Sequence, residues 1–207
     1  MNNLSFKDNY DYVIIGAGIA GLMLAFGIEQ INSNATIAII ESGNELDNRK
    51  CPIKNNKTKC MNCSTCSIMS GIAGAGAFSD AKFNITTEYG GWLNEYIGDS
   101  EALKYMNILD NILCRFSNNS YFEANYKLYE PNNYLKKRAL EYDLHLLQGK
   151  VRHFGTDGIY YIMKNLYSHL KSNKNITFIQ RYINPDNISL ENKKINLNPV
   201  LIPDRGM

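Results

Sequence analysis

The stretch Asp11-Tyr-Val-Ile-Ile-Gly-Ala-Gly-Ile-Ala-Gly-Leu-Met-Leu-Ala25 decides how this chain is read. Tyr12 to Ile15 form an apolar run that ends abruptly in Gly16-x-Gly18-x-x-Gly21, and an apolar helical pattern starts at once. Glycines in that position sit where a buried strand turns into a helix. Gly16 permits the tight turn, Gly18 lets a pyrophosphate approach the backbone, and Gly21 lets helix and strand pack closely. The amides and positive dipole end of the helix then face an anion.

Outward from this turn, Thr36-Ile-Ala-Ile-Ile-Glu41 reads as the next buried strand, and it ends in an acid. Glu41 stands about 20 residues past the last glycine, where a carboxylate takes ribose hydroxyls. The same charge repels a 2′-phosphate and so disfavours NADP. The expected cofactor-binding set here is Gly16, Ala17, Gly18, Ile19, Ala20, Gly21, Glu41 and Ser42. A glycine turn in an ordinary βαβ unit with a surface glutamate is the plainer alternative.

The chain has 207 residues, 44% hydrophobic and 20% charged, enough for a globular core rather than a disordered segment. Its 22 basic and 20 acidic residues leave a net charge of +2, too balanced for a nucleic-acid footprint. No apolar stretch is long enough to span a bilayer, and Met1 to Asn9 lack the pattern of a signal peptide. A cytoplasmic protein with no membrane and no nucleic-acid partner is the expectation.

Of five cysteines, four are bunched. Cys60, Cys63 and Cys66 have C-x-x-C-x-x-C spacing, with Cys51 upstream in a basic, Asn-rich loop. Four thiolates there have the donor set for zinc or a [4Fe–4S] cluster, and Arg49, Lys50, Lys54, Lys57 and Lys59 offset their charge. Ser70 stands where a ferredoxin run has its fourth cysteine. Free, redox-active thiols and disulfides are the alternatives, and spacing does not choose between zinc and iron–sulfur. Cys114 reads as a small core residue.

Further along, the periodicity predicts helices over Asp99–Phe116, Asn133 to about Asp143, and Asp157–Lys171, with Asp99 or Ser100 and Thr156 or Asp157 as caps. Ser117 to Pro131 reads as loop, Ile176–Gln180 as a strand, and Ile188–Leu197 as a β-hairpin. Ser70-Gly-Ile-Ala-Gly-Ala-Gly-Ala-Phe-Ser-Asp80 exposes backbone to a ligand ring or phosphate, or is a turn closed by its own Ser and Asp. Arg152-His-Phe-Gly-Thr-Asp157 gathers polar groups at a helix start, with His153 either a proton donor or a solvated side chain. His145, in a β-like stretch, and His169, on a helix flank, read as structural.

Together, the glycine turn, Cys51-Pro52 with the cysteine run, Gly71-Ile-Ala-Gly-Ala-Gly-Ala-Phe-Ser-Asp-Ala-Lys82 and Arg152-His-Phe-Gly-Thr-Asp157 resemble the poorly characterised FAD-dependent dehydrogenases of the glutathione-reductase-like flavoprotein class. The resemblance implies an α/β fold: a Rossmann-like FAD-binding domain with a mainly parallel sheet, plus part of a second, substrate domain. The expected division is 1–83, 84–150 and 151–207, the last returning to the FAD domain. It implies that Gly76, Phe78, Ser79, Asp80 and Lys82 lie near the flavin, although Ala81 replaces the family's glycine. Pro203-Asp-Arg-Gly-Met looks like an altered Pro-Gly-Arg-Ser-Gly turn found midway along such proteins, so an N-terminal fragment is expected, with a second chain supplying the remainder. The implied reaction moves hydride or electrons between FAD and an unidentified small molecule or electron carrier. An inert nucleotide-binding remnant, an NAD-dependent enzyme and a zinc-stabilised module are the rivals.

Overall fold

The computed structural model describes residues 9–53, 59–117, 128–130, 132–184, 188–191 and 194–197. Lys54, Lys57, the N-terminal octapeptide and the Pro203-Asp-Arg-Gly-Met motif lie outside the described residues. The chain divides into two units, one reaching to Gly76 and resuming at Leu166, the other spanning Ala77–Asn165.

The first unit is built on strand β1 (Tyr12–Ile15), helix α1 (Ile19–Ile31) and strand β2 (Ile37–Glu41). β2 is a run of β-branched and small residues buried at four successive positions, as a strand covered on both faces requires. It pairs in parallel with β1, Tyr12 opposite Ile37 and Ile15 opposite Ile40. Asp11 fixes this register at its start: its carboxylate accepts the amide and the hydroxyl of Thr36, both at 2.8 Å. Leu22, Ala25 and Phe26 on α1 and Ile37 and Ile39 on β2 belong to the core. The mixed α/β architecture with a mainly parallel sheet is the expected fold class.

Strands β3 (Lys82–Ile85), β4 (Leu128–Tyr129) and β5 (Lys150–His153) precede that sheet's last member, β6 (Ile176–Gln180), in the chain. β6 adds to the far side of β2, again in parallel, with the order β1-β2-β6. The hairpin expected over 188–197 is present as β7 (Ile188–Glu191) and β8 (Lys194–Leu197), antiparallel.

The second unit holds an antiparallel sheet in the order β3-β5-β4 and helices α2 (Leu93–Ile97), α3 (Asp99–Phe116) and α4 (Asn133–Leu140). Helix α5 (Gly155–Ser172) begins in this unit, and its residues from Leu166 belong to the first. α3 has the expected bounds, but its N-cap is Gly98, with no side-chain bond, in place of Asp99 or Ser100. α5 starts before its expected caps, and the β-like setting expected for His145 is irregular chain.

The buried face of α3 also contains a surprise. Asp110 is buried beside Leu113 and Phe116, whereas Leu103, Met106 and Leu109 are half-buried. Arg152 on β5 explains it, donating through Nε at 2.5 Å and Nη2 at 2.7 Å to the two carboxylate oxygens. A two-pronged, charge-assisted pair offsets the cost of removing both ions from water.

In the first unit, Glu45 Oε1 accepts Lys171 Nζ at 2.6 Å and the Tyr167 hydroxyl at 2.8 Å. These donors, Lys171 first, hold the Glu45 carboxyl below its ordinary value of 4.5. A carboxyl whose folded-state pKa is lowered stabilises the fold above its unfolded value, and that support is lost as pH falls through the lowered folded value. Stability measured by urea unfolding is therefore expected to drop below pH 4.5 by less in Glu45→Gln than in the parent. An unchanged acid limb would mean the triad is too well solvated to matter.

Candidate functional site

The turn between β1 and α1 has the geometry its glycines foretell. Gly16 adopts φ +97°, a conformation that glycine reaches without a side-chain clash. A Cβ on Gly21 would lie 2.0 Å from the Gly16 carbonyl oxygen, so strand and helix approach more closely than any side chain allows. Gly18 is the N-cap of α1, no side chain caps that terminus, and no acid stands in its first turn. A Cβ on Gly18 would meet nothing within 4 Å, so the turn is open on that side. Ala17, Ile19 and Ala20 complete the loop and the first turn, the end of the helix dipole that attracts an anion.

Glu41 comes to this loop from the end of β2. Its Oε2 accepts the Ala17 amide at 2.9 Å, and its Oε1 accepts the amides of Gly43 at 2.8 Å and Gly71 at 3.2 Å. The Ser42 hydroxyl stands 3.5 Å from Oε1. The carboxylate thus knits three backbone segments together. With about four acceptor sites on an ionised carboxyl, Oε2, which carries a single bond to the protein among the described residues, retains capacity for a further donor.

Two supports of this loop go beyond what the sequence reading placed here. One is the segment Gly71–Gly74: the Ala73 amide donates to the Ala17 carbonyl at 2.7 Å, and a Cβ on Gly74 would come within 3.2 Å of the Gly18 Cα. The other is Arg49, read from sequence as a charge offset for the thiols. It is 4% exposed and its guanidinium donates to the carbonyls of Ser67 at 3.0 Å, Ile68 at 2.8 Å, Ile72 at 2.7 Å and Gly74 at 2.8 Å. Burial lowers its pKa and the nearby Glu41 opposes that shift. The sequence marked this stretch as a glycine-rich, backbone-exposing loop but not the left-handed turns at Ala73 and Gly74 or their contact with Ala17, and nothing in it foretold the role of Arg49.

The cysteines gather, but not as a metal centre. Cys51, Cys60, Cys63 and Cys66 all line one surface cavity of about 350 Å³. Among the described residues no three His, Cys, Asp or Glu side chains come together so that they could hold a metal ion. The zinc or [4Fe–4S] expectation therefore lacks the convergence that either centre needs. Cys114 is half-buried on α3.

In the second unit, two of the sequence motifs meet. β3 and β5 pair so that Lys82 faces His153 and Phe83 faces Arg152. The amides of Phe154 and Gly155 donate to the carbonyls of Ala81 and Asp80, at 3.1 and 3.0 Å. Lys82 Nζ lies 2.9 Å from Asp80 Oδ2, and His153 Nε2 lies 4.0 Å from the same oxygen. Lys82 chiefly holds the Asp80 carboxyl below its usual range, though both groups are exposed. The Ser79 hydroxyl accepts the Ala81 amide at 3.2 Å, which is the self-closed turn that was the plainer reading of this loop. The Phe78 ring centre lies 6.2 Å from that of Tyr160. Gly76 belongs to the first unit.

Ala81 adopts φ +47°, in the left-handed region. Ala81→Gly is expected to stabilise this loop by up to about 1 kcal/mol, since the side chain costs more in that conformation than glycine's extra freedom when unfolded. A melting temperature that falls in the variant would contradict this.

Among the described residues no helix is long and apolar enough to cross a membrane. No family model matches the sequence, and no curated protein matches it. Among solved structures, the chain is similar to an L-amino acid deaminase from Proteus myxofaciens in complex with anthranilate, at 14% identity and a TM-score of 0.39. That similarity covers 92% of this chain and 42% of the other, so the chain spans less than half the length of the protein it is compared with.

Proposed function

We propose that this chain holds the adenosine-diphosphate half of FAD and belongs to an FAD-dependent oxidoreductase. The observation that carries the reading is the bare turn at Gly16–Gly21, open at Gly18 and joined through Ala17 to the carboxylate of Glu41. The residues fit the group. The Gly16–Gly21 backbone and the first turn of α1 bind the pyrophosphate, and Glu41 accepts the ribose hydroxyls on the capacity it retains. The segment Ala73–Gly74, tied to Ala17, holds the glycine loop in the shape that binds. Bound FAD supplies the redox chemistry, taking hydride or electrons from one partner and passing them to another. Phe78, Ser79, Asp80 and Lys82 are assigned to the flavin's surroundings through the family resemblance alone.

The test is a titration of the purified chain with FAD and, separately, with NAD, read by flavin fluorescence and calorimetry. FAD is expected to bind, and Glu41→Leu to weaken it at least tenfold, the ratio worth about 1.4 kcal/mol. Tighter binding of NAD would sink the flavin assignment, and failure of both would sink the dinucleotide site.

A further inference from the structure

The second unit has an apolar surface that its own fold leaves uncovered. Helix α2 lies between Gly91 and Gly98, and the side chains on it find little shelter: Trp92, its N-cap, is 75% exposed, Tyr96 is 82% exposed, and Leu93 and Ile97 are exposed as well. Tyr134, Leu135 and Leu140 on α4, and Leu144 and Leu147 beyond it, are exposed in the same way. The two stretches are neighbours. Glu88, shortly before Trp92, accepts the Gln148 amide at 2.7 Å and lies 3.9 Å from Lys136 Nζ, and the Gln148 side chain donates to the carbonyl of Asn132, the N-cap of α4. Single exposed apolar residues are ordinary, but neighbouring groups of them mark a surface that another body covers.

Charge divides this surface into halves of opposite sign. From Trp92 to Glu101 the charged residues are Glu95, Asp99 and Glu101, all acidic; from Asn132 to Leu140 they are Lys136, Lys137 and Arg138, all basic. Glu101 is paired with Lys104 at 3.0 Å, and Lys136 and Arg138 are loosely paired, with Glu88 at 3.9 Å and Glu141 at 3.8 Å. Glu95 and Lys137, both exposed, make no ion pair among the described residues. An anionic bilayer or a nucleic acid would be drawn to α4 and repelled by α2. A surface with an acidic half and a basic half is instead complementary to itself, because a twofold axis brings each half onto the other and makes every contact twice. We propose that this surface joins two copies of the chain in a twofold dimer, α2 of each against α4 of the other, with Glu95 of one copy facing Lys137 of the other. Burial of the aromatic rings and leucines supplies the attraction, and the ion pairs set the orientation more than they add strength. Tryptophan and tyrosine suit such a contact, since each offers a large apolar ring with a polar tip that reaches the wet rim. The inference does not depend on the nucleotide reading.

The test is sedimentation velocity of the purified full chain over a series from micromolar to submillimolar. The expected result is a reversible equilibrium between one copy and two. Lys137→Glu sets a carboxylate against Glu95 at both ends of the dimer and is expected to weaken association by at least about tenfold. Glu95→Lys sets two ammonium groups together and is expected to do the same. Mixed in equal amounts, the two variants place opposite charges at both contacts, and they are expected to pair with each other at close to the parent's strength. Tyr96→Ser removes an exposed ring and is expected to weaken association without lowering the unfolding midpoint. All three positions are exposed, so these variants are expected to fold, and the parent's own behaviour decides the matter if one does not. A chain that stays single throughout the series would overturn the proposal. So would a dimer indifferent to both charge reversals, or a mixture that associates no more tightly than either variant alone.

Discussion

Gly21→Ala is expected to destabilise the chain by about 3 kcal/mol, the upper end of what an overpacked site costs, and to abolish dinucleotide binding. Alanine is the best helix former, and inside an exposed helix the same change stabilises by about 1 kcal/mol. The sign reverses because a Cβ at Gly21 meets the Gly16 carbonyl oxygen at 2.0 Å and the Gly16 carbonyl carbon at 3.2 Å, with Ile14 Cγ2 at 3.3 Å. Two of those atoms are backbone, so no side-chain rotation relieves the clash. The turn must open, and the amides that face the pyrophosphate move with it. Gly27, in the same helix, supplies the control: a Cβ there meets nothing within 4 Å, so Gly27→Ala is expected to raise stability by about 1 kcal/mol. Urea unfolding of the two variants beside the parent reads both signs. If both variants shift in the same direction, the close approach at Gly21 is not what holds the turn.

The second large effect is expected at Arg49. Arg49→Met keeps much of the side chain's bulk but leaves the carbonyls of Ser67, Ile68, Ile72 and Gly74 without their guanidinium donor. Bonds from a charged donor are each worth about 1.5–3 kcal/mol, but burying a charge costs part of that gain, so a net loss of roughly 3–5 kcal/mol is expected. Arg49→Lys restores charge without the planar fork and is expected to recover less than half of it. Unfolding midpoints give the loss, and limited proteolysis locates it, with new cuts expected between Lys59 and Gly74. A variant that unfolds at the parent's midpoint would show that the four carbonyls find other donors.

The parts of this molecule that were legible in the sequence are those whose cause is local. The strand–turn–helix at Tyr12–Ile31 follows from a burst of apolar residues, three spaced glycines and a helical period within one stretch. α3 has the bounds its pattern implied, and Ile176–Gln180 is the strand its β-branched run suggested. What was hidden depends on partners far away in the chain. Asp110 sits on the buried face because Arg152 answers it across 42 residues, and helical periodicity carries no sign of that. Arg49 binds carbonyl oxygens, which every residue possesses, so its targets leave no mark in the composition. The cysteine spacing was accurate about neighbourhood and silent about convergence, because it does not register the bend at Ser64–Thr65 or the left-handed backbone of Asn62 between the cysteines.

β1 is one of the two edge strands of its sheet among the described residues, and Tyr12 and Ile15 on it are about half exposed. An apolar strand in that position is a mould for extended chain, because its outer rim presents a row of hydrogen-bonding groups in ready register. Among the described residues no strand pairs with that rim. An added strand, from this chain or another, is the element such a row accepts.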